Sequence, residues 1–145
     1  MICTFFGHRD SYGLEKSALQ NAIEDLIKNG VDTFYVGNNG CFDDMAVSCL
    51  STLQKTNKNI SFSMVLAYLP ITDTQNVEHN TPTLYPEDVA AAPRKFAIDR
   101  RNCWMLDRSD YCICYVNRAF GGAYKFARKA KQRGITVINL GCVEI

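Results

Sequence analysis

Three glycine-containing segments of the chain carry the side chains best suited to bind an anion. Glycine lets backbone N–H groups approach a phosphate closely, and an arginine can hold a phosphate through two parallel hydrogen bonds. Each segment alone is a weak signal, because turns often contain glycine for conformational reasons. Together they indicate a phosphate or ribose site, formed by Gly7-His8-Arg9, Gly37-Asn38-Asn39-Gly40 and residues 117–122.

Two of these side chains have alternative roles that the sequence leaves open. Arg9 could bind phosphate, or it could pair with a carboxylate such as Asp43 or Asp110 and so fix its loop. His8 could contact a ribose or act as an acid or base near neutral pH, and it could equally serve as a hydrogen-bonding post.

A further polar cluster, Arg100-Arg101-Asn102, precedes the fourth apolar run. Adjacent residues on a helix point about 100° apart, so the three side chains cannot all face one ligand. We expect one or two of them to reach the site, and we take Arg101 and Asn102 as the candidates.

The elements that must position these residues are short apolar runs that alternate with helical patterns. This alternation is typical of a parallel sheet covered by helices on both faces, in which ligands bind beyond the carboxyl ends of the strands. We therefore predict one α/β domain over residues 1–145, a three-layer Rossmann-like domain with a central, mostly parallel five-stranded sheet. The predicted strands are residues 2–6, 33–36, 60–68, 111–116 and 135–140.

The helical patterns fall between these runs and leave one long irregular segment. Helices are predicted from Leu14 to Ile27, from Asp43 or Asp44 to Leu53, over 96–106 and over 122–133. Residues 70–95 contain all four prolines, and loops of this length are usually functional or mobile. We expect an irregular flap beside the site, with a helical turn around 86–91.

Charge and cysteine content exclude several classes of protein. The 16 Lys and Arg nearly balance the 15 Asp and Glu, so the net charge of +1 provides no broad field for nucleic acid or a membrane surface. The basic residues of the last helix are interpreted as an ordinary solvated face. The start, MICTFFGHRD, lacks the basic region of a secretion signal, and the seven cysteines are an odd number, so we expect reduced thiols and a cytoplasmic protein.

Metal binding is not expected either. The closest cysteine pair, Cys112 and Cys114, falls within a predicted strand, where the two side chains share a face and pack. We expect no metal and no cofactor, and neither nucleic acid nor a membrane as a partner.

The order of the motifs resembles the YpsA-like branch of the SLOG superfamily. The matching pieces are Gly7-His8-Arg9, then Gly37 to Gly40 with Asp43 and Ala46, then Arg101-Asn102 with Met105, then Gly121-Gly122-Ala123. The resemblance implies a nucleotide or a nucleotide-derived, ADP-ribose-like ligand, a possible sensor role and self-association. It implies a binding site formed by Gly7, His8, Arg9, Gly37, Asn38, Asn39, Gly40, Arg101, Asn102, Gly121, Gly122 and Ala123.

One departure from the related LOG-type phosphoribohydrolases changes the expected chemistry. Those enzymes carry the motif P-G-G-x-G-T-x-x-E. When Gly122-Ala123 is aligned with the G-T of this motif, Phe126 stands at the glutamate position. Cleavage of an N-glycosidic bond needs a carboxylate, and Asp43 or Asp44 could supply it from the second segment, although both could equally be first-turn helix residues. We therefore predict ligand binding, with N-glycosidic hydrolysis of a nucleotide or DprA-like DNA handling as the alternatives.

Overall fold

One parallel sheet contains every strand that the computed structural model describes, over residues 1–69 and 81–145. Its strands are β1 (Ile2–Gly7), β2 (Thr33–Val36), β3 (Ser61–Val65), β4 (Thr83–Leu84), β5 (Tyr111–Tyr115) and β6 (Thr136–Asn139). They are ordered β4-β3-β2-β1-β5-β6, and each neighbouring pair is parallel. The strand order reverses between β1 and β5, so the crevice for a ligand is expected at the carboxyl ends of these two strands.

Helices cover both faces of the sheet and complete three layers. They are α1 (Lys16–Lys28), α2 (Cys41–Thr56), α3 (Glu87–Ala90), α4 (Ala97–Asp107) and α5 (Gly122–Gln132), with a 3-10 turn at Arg94–Phe96. The apolar sides of α1 and α2 pack in one core with Phe5 and Phe34, while α4 and α5 pack in a second core with Phe6. The central strands are buried on both faces, which explains why they read as continuous apolar runs.

The sheet has six strands where the sequence predicts five. The extra strand, β4, lies in the predicted irregular flap and is held by hydrogen bonds from Met64 N–H to Pro82 O and from Leu66 N–H to Leu84 O, both 2.8 Å. A two-residue strand is too short to show the alternation of apolar and polar residues by which a strand is recognised, so the sequence does not predict it. The helical turn predicted at 86–91 is α3, and residues 70–80 of the predicted flap lie outside the described residues.

The cysteines occur as free thiols, and Cys112 and Cys114 are fully buried beneath α4 and α5, as packing predicts. No helix in the described ranges is long and apolar enough to cross a membrane.

Candidate functional site

A cavity of about 320 Å³ opens at the carboxyl ends of β1 and β5, between the first turns of α4 and α5. The structure brings ten of the twelve predicted binding residues onto its wall, which are Gly7, His8, Arg9, Gly37, Asn39, Arg101, Asn102, Gly121, Gly122 and Ala123. Its remaining wall includes Asp43, Arg118, Ile98 and Met105.

Asn38 and Gly40 do not line the cavity but support residues that do. The Asn38 amide oxygen accepts a hydrogen bond from Arg101 Nη1 at 3.3 Å. A Cβ on Gly40 would lie 2.7 Å from the Cα of Arg9, so glycine allows the segment after β2 to pack against the segment after β1. Their contribution is therefore to the shape of the site.

Arg101 is the most buried charged residue at the site, with 2% of its surface exposed. Its Nε donates to Asn102 Oδ1 at 2.7 Å and its Nη1 also donates to the carbonyl of Val65 at 3.0 Å. With the Asn39 amide oriented so that its nitrogen donates to the Asn38 carbonyl, its oxygen accepts a hydrogen bond from Arg101 Nη2 at 3.1 Å. Burial lowers the pKa of Arg101 and the Asp43 carboxylate counteracts this; an arginine nevertheless stays protonated at neutral pH.

Asp43 is a first-turn residue of α2, as one of the two alternatives predicts, and it also lines the cavity. Its Oδ2 accepts a hydrogen bond from the Asn39 N–H at 2.9 Å, which fixes the turn between β2 and α2. Burial raises the pKa of Asp43, opposed by the Asn39 hydrogen bond and by Arg101. Asp44, the other candidate carboxylate, is exposed and lies outside the cavity wall.

His8 links the carboxyl ends of β1 and β5 through a side-chain hydrogen bond. It is buried, and its Nε2 accepts a hydrogen bond from the Asn117 N–H at 3.1 Å. This bond requires Nε2 to be unprotonated. Burial lowers the pKa of His8, and the positive charge of Arg118 lowers it further against the opposing effect of Asp10.

The alternative in which Arg9 pairs with Asp43 or Asp110 is wrong. Arg9 is exposed, and within residues 1–69 and 81–145 no carboxylate lies within 4.0 Å of its guanidinium. Asp110 lies at the amino ends of the strands, away from the cavity, where its Oδ2 accepts a hydrogen bond from the Ile2 N–H at 2.9 Å. The Arg9 guanidinium is therefore free of the described carboxylates.

Arg118 lies in the predicted segment 117–122, but it is not one of the twelve residues predicted to bind the ligand. It lines the wall and pairs with the exposed Asp10 at 3.6 Å, while its Nε is enclosed and has no hydrogen-bond partner among the described residues. The available signal was its place in the turn after β5, directly between the strand and Gly121.

The N-terminus of α5 presents backbone and the small side chain of Ala123 to the cavity. Gly121 has φ +93°, a conformation that favours glycine, and a Cβ on Gly121 or Gly122 would meet no atom within 4 Å. One turn later, Phe126 is buried and its ring stacks on Phe6 with centroids 5.4 Å apart. The glutamate position of the hydrolase motif thus faces the core.

No known family model matches this chain, and no curated protein is similar to it in sequence.

Replacement of Gly37 by alanine is expected to destabilise the fold through the site. The new Cβ would lie 3.0 Å from Arg101 Cζ and Nη1 and from Asp43 Oδ2, none of which can shift without losing a hydrogen bond. Crowding of this kind costs about 1–3 kcal/mol. Urea denaturation of Gly37→Ala measures it, with Gly122→Ala as the matched control, because that Cβ meets open space. Equal stability of the two variants would contradict this account of the turn.

The hydrogen bond at His8 makes stability depend on pH. An unfolded histidine titrates near pH 6.5, and the folded pKa is lower, so the unfolded chain binds the proton first as pH falls. Stability is full above pH 6.5 and is lost below it, by at most about 1.4 kcal/mol per pH unit. We expect His8→Gln, whose amide oxygen can accept from Asn117, to flatten the decline in melting temperature between pH 7.5 and 5.5.

His79→Gln provides the control for this measurement, because it removes the chain's other imidazole and leaves His8 in place. An undiminished decline in His8→Gln would show that His8 is not the group responsible.

Proposed function

We propose that the chain binds a nucleotide or a nucleotide-derived, ADP-ribose-like ligand in the cavity at the carboxyl edge of the sheet, as a sensor would. The observation that carries the proposal is the convergence of three arginines, Arg9, Arg101 and Arg118, on one cavity. The motif resemblance to SLOG proteins points to the same class of ligand.

The charges around the cavity favour an anion. Asp43 is the one carboxylate among the described wall residues, against three guanidinium groups. The first turn of α5 adds free backbone N–H groups and the positive end of its helix dipole. A phosphate fits this combination, since arginine and helix N-termini are the usual phosphate partners in proteins.

The uncharged part of the wall favours a phosphate that is joined to a sugar. Asn39 and Asn102 offer amide groups that can bond hydroxyls, while Ile98 and Met105 provide apolar surface. The volume of about 320 Å³ is at the lower end of the range for small-molecule sites. A sugar phosphate meets each of these requirements, and a bare inorganic anion meets only the first.

Hydrolysis is the second candidate, because Asp43 lines the cavity and its burial raises its pKa, as a general acid requires. DNA handling has less support. The basic residues on the outer face of α5 are partly neutralised, since Lys125 pairs with Asp99 at 3.0 Å and Arg133 pairs with Asp107.

Nucleotide binding is tested by thermal unfolding with AMP or ADP-ribose. A ligand at 100 times its Kd stabilises the folded state by about 2.7 kcal/mol, which is a readily measured shift. We expect Arg118→Gln to weaken binding by about tenfold or more, because charge-assisted hydrogen bonds contribute about 1.5–3 kcal/mol. Arg128→Gln is the matched control, since Arg128 is exposed on α5 away from the cavity and carries the same charge.

Absence of any shift at millimolar concentrations of AMP and ADP-ribose would contradict the proposal. Chromatography of the same mixtures tests for catalysis. If the wild type and the exposed-site control Asp44→Asn release free base and Asp43→Asn does not, the protein is an N-glycosidic hydrolase rather than a simple binding protein.

A further inference from the structure

Phe120 is a large aromatic residue that the fold leaves in solvent, with 67% of its surface exposed. It directly precedes Gly121, at the N-terminus of α5 and the mouth of the cavity. Single exposed apolar residues are common on protein surfaces, so exposure alone assigns no role. The surroundings of the ring must carry the inference.

Arg118 connects the Phe120 ring to the cavity. The Cζ atom of Arg118 lies 5.4 Å from the centroid of the Phe120 ring, within the range of a cation–π contact. The same guanidinium lines the cavity and keeps an enclosed, unpartnered Nε. A cation that could hold phosphate therefore lies next to a ring that could hold a base.

An ion pair joins the two helices that flank the cavity. Lys125, in the first turn of α5, pairs at 3.0 Å with Asp99, in the first turn of α4. The cavity wall contains residues from both of these turns, Ile98 on α4 and Gly122 on α5. Phe120 is connected to this wall through the next residue, Gly121, which lines the cavity.

We propose that Phe120 is the stacking platform for the base of the ligand. In this arrangement the phosphate enters the cavity between Arg118 and the N-terminus of α5, and the base remains at the mouth against the Phe120 ring. The ligand is then a nucleoside 5′-phosphate or a conjugate of one, bound phosphate first. This inference rests on the proposed function and specifies how its ligand is oriented.

The distribution of chemistry at the site determines this orientation. The charged groups lie on the cavity wall, whereas Phe120 lies outside it, so the anionic end of a nucleotide belongs inside and its flat ring outside. Base stacking on an aromatic side chain contributes about 1–3 kcal/mol and tolerates any base. Phe96 is also exposed and directly precedes α4, but its neighbouring cation, Lys95, does not line the cavity.

The test compares a probe that has a base with one that lacks it. The dissociation constants of AMP and ribose 5-phosphate are measured by calorimetry for the wild type, Phe120→Leu, Phe120→Trp and the control Phe96→Leu. We expect Phe120→Leu to weaken AMP about tenfold and leave ribose 5-phosphate unchanged. Phe120→Trp should retain AMP binding, because it keeps a flat ring, and Phe96→Leu should bind like the wild type.

Melting curves without ligand verify that each variant is folded. We expect little change in melting temperature, because both Phe120 and Phe96 are exposed. AMP binding that is unchanged in Phe120→Leu, or weakened only in Phe96→Leu, overturns the stacking platform while the proposed function stands. Equal weakening of both probes in Phe120→Leu also overturns it, since the loss would not depend on the base. A wild type that binds neither probe overturns this inference, and if ADP-ribose also fails to bind, the proposed function is overturned with it.

Discussion

The buried guanidinium of Arg101 is the constraint on which the site depends. A charge removed from water must be surrounded by acceptors, and here they come from α4 through Asn102, from the end of β3 through Val65, and from the turn after β2 through Asn38 and Asn39. Satisfying this one cation therefore fixes the relative positions of three separate elements. Gly37 follows from the same constraint, because no Cβ fits beside the guanidinium.

This arrangement divides the cationic groups by role. Arg101 uses four hydrogen bonds on its own protein partners, out of five N–H donors, so it contributes chiefly a fixed positive field beneath the cavity. Arg9 and Arg118 both line the cavity with fewer protein partners, so their guanidinium groups can bind a ligand directly. A field that is already in place requires no rearrangement when an anion binds.

The sequence predicts the architecture well because long, periodic segments determine it. The apolar runs locate the central strands, and the glycine turns after β1, β2 and β5 identify the edge at which the cavity opens. The remaining features depend on contacts between distant segments. The pairing of β4, the bond from Asn117 to His8 and the different exposure of Asp43 and Asp44 leave no local pattern, since each is decided by a partner far along the chain or by the packing of a helix.

The same packing argues for binding over catalysis. The larger side chains of the first two turns of α5 lie in the core or at the surface, with Phe126 stacked on Phe6 and Lys125 and Lys129 over its ring. The helix therefore offers the ligand its backbone and the Ala123 methyl group, and no carboxylate. Asp43 is then the carboxylate available on the described wall, but its Oδ2 holds the turn that supplies two acceptors to Arg101. Protonating or moving this carboxylate would weaken the turn on which the buried cation depends. A role in proton transfer therefore competes with the integrity of the site, whereas ligand binding leaves the carboxylate undisturbed.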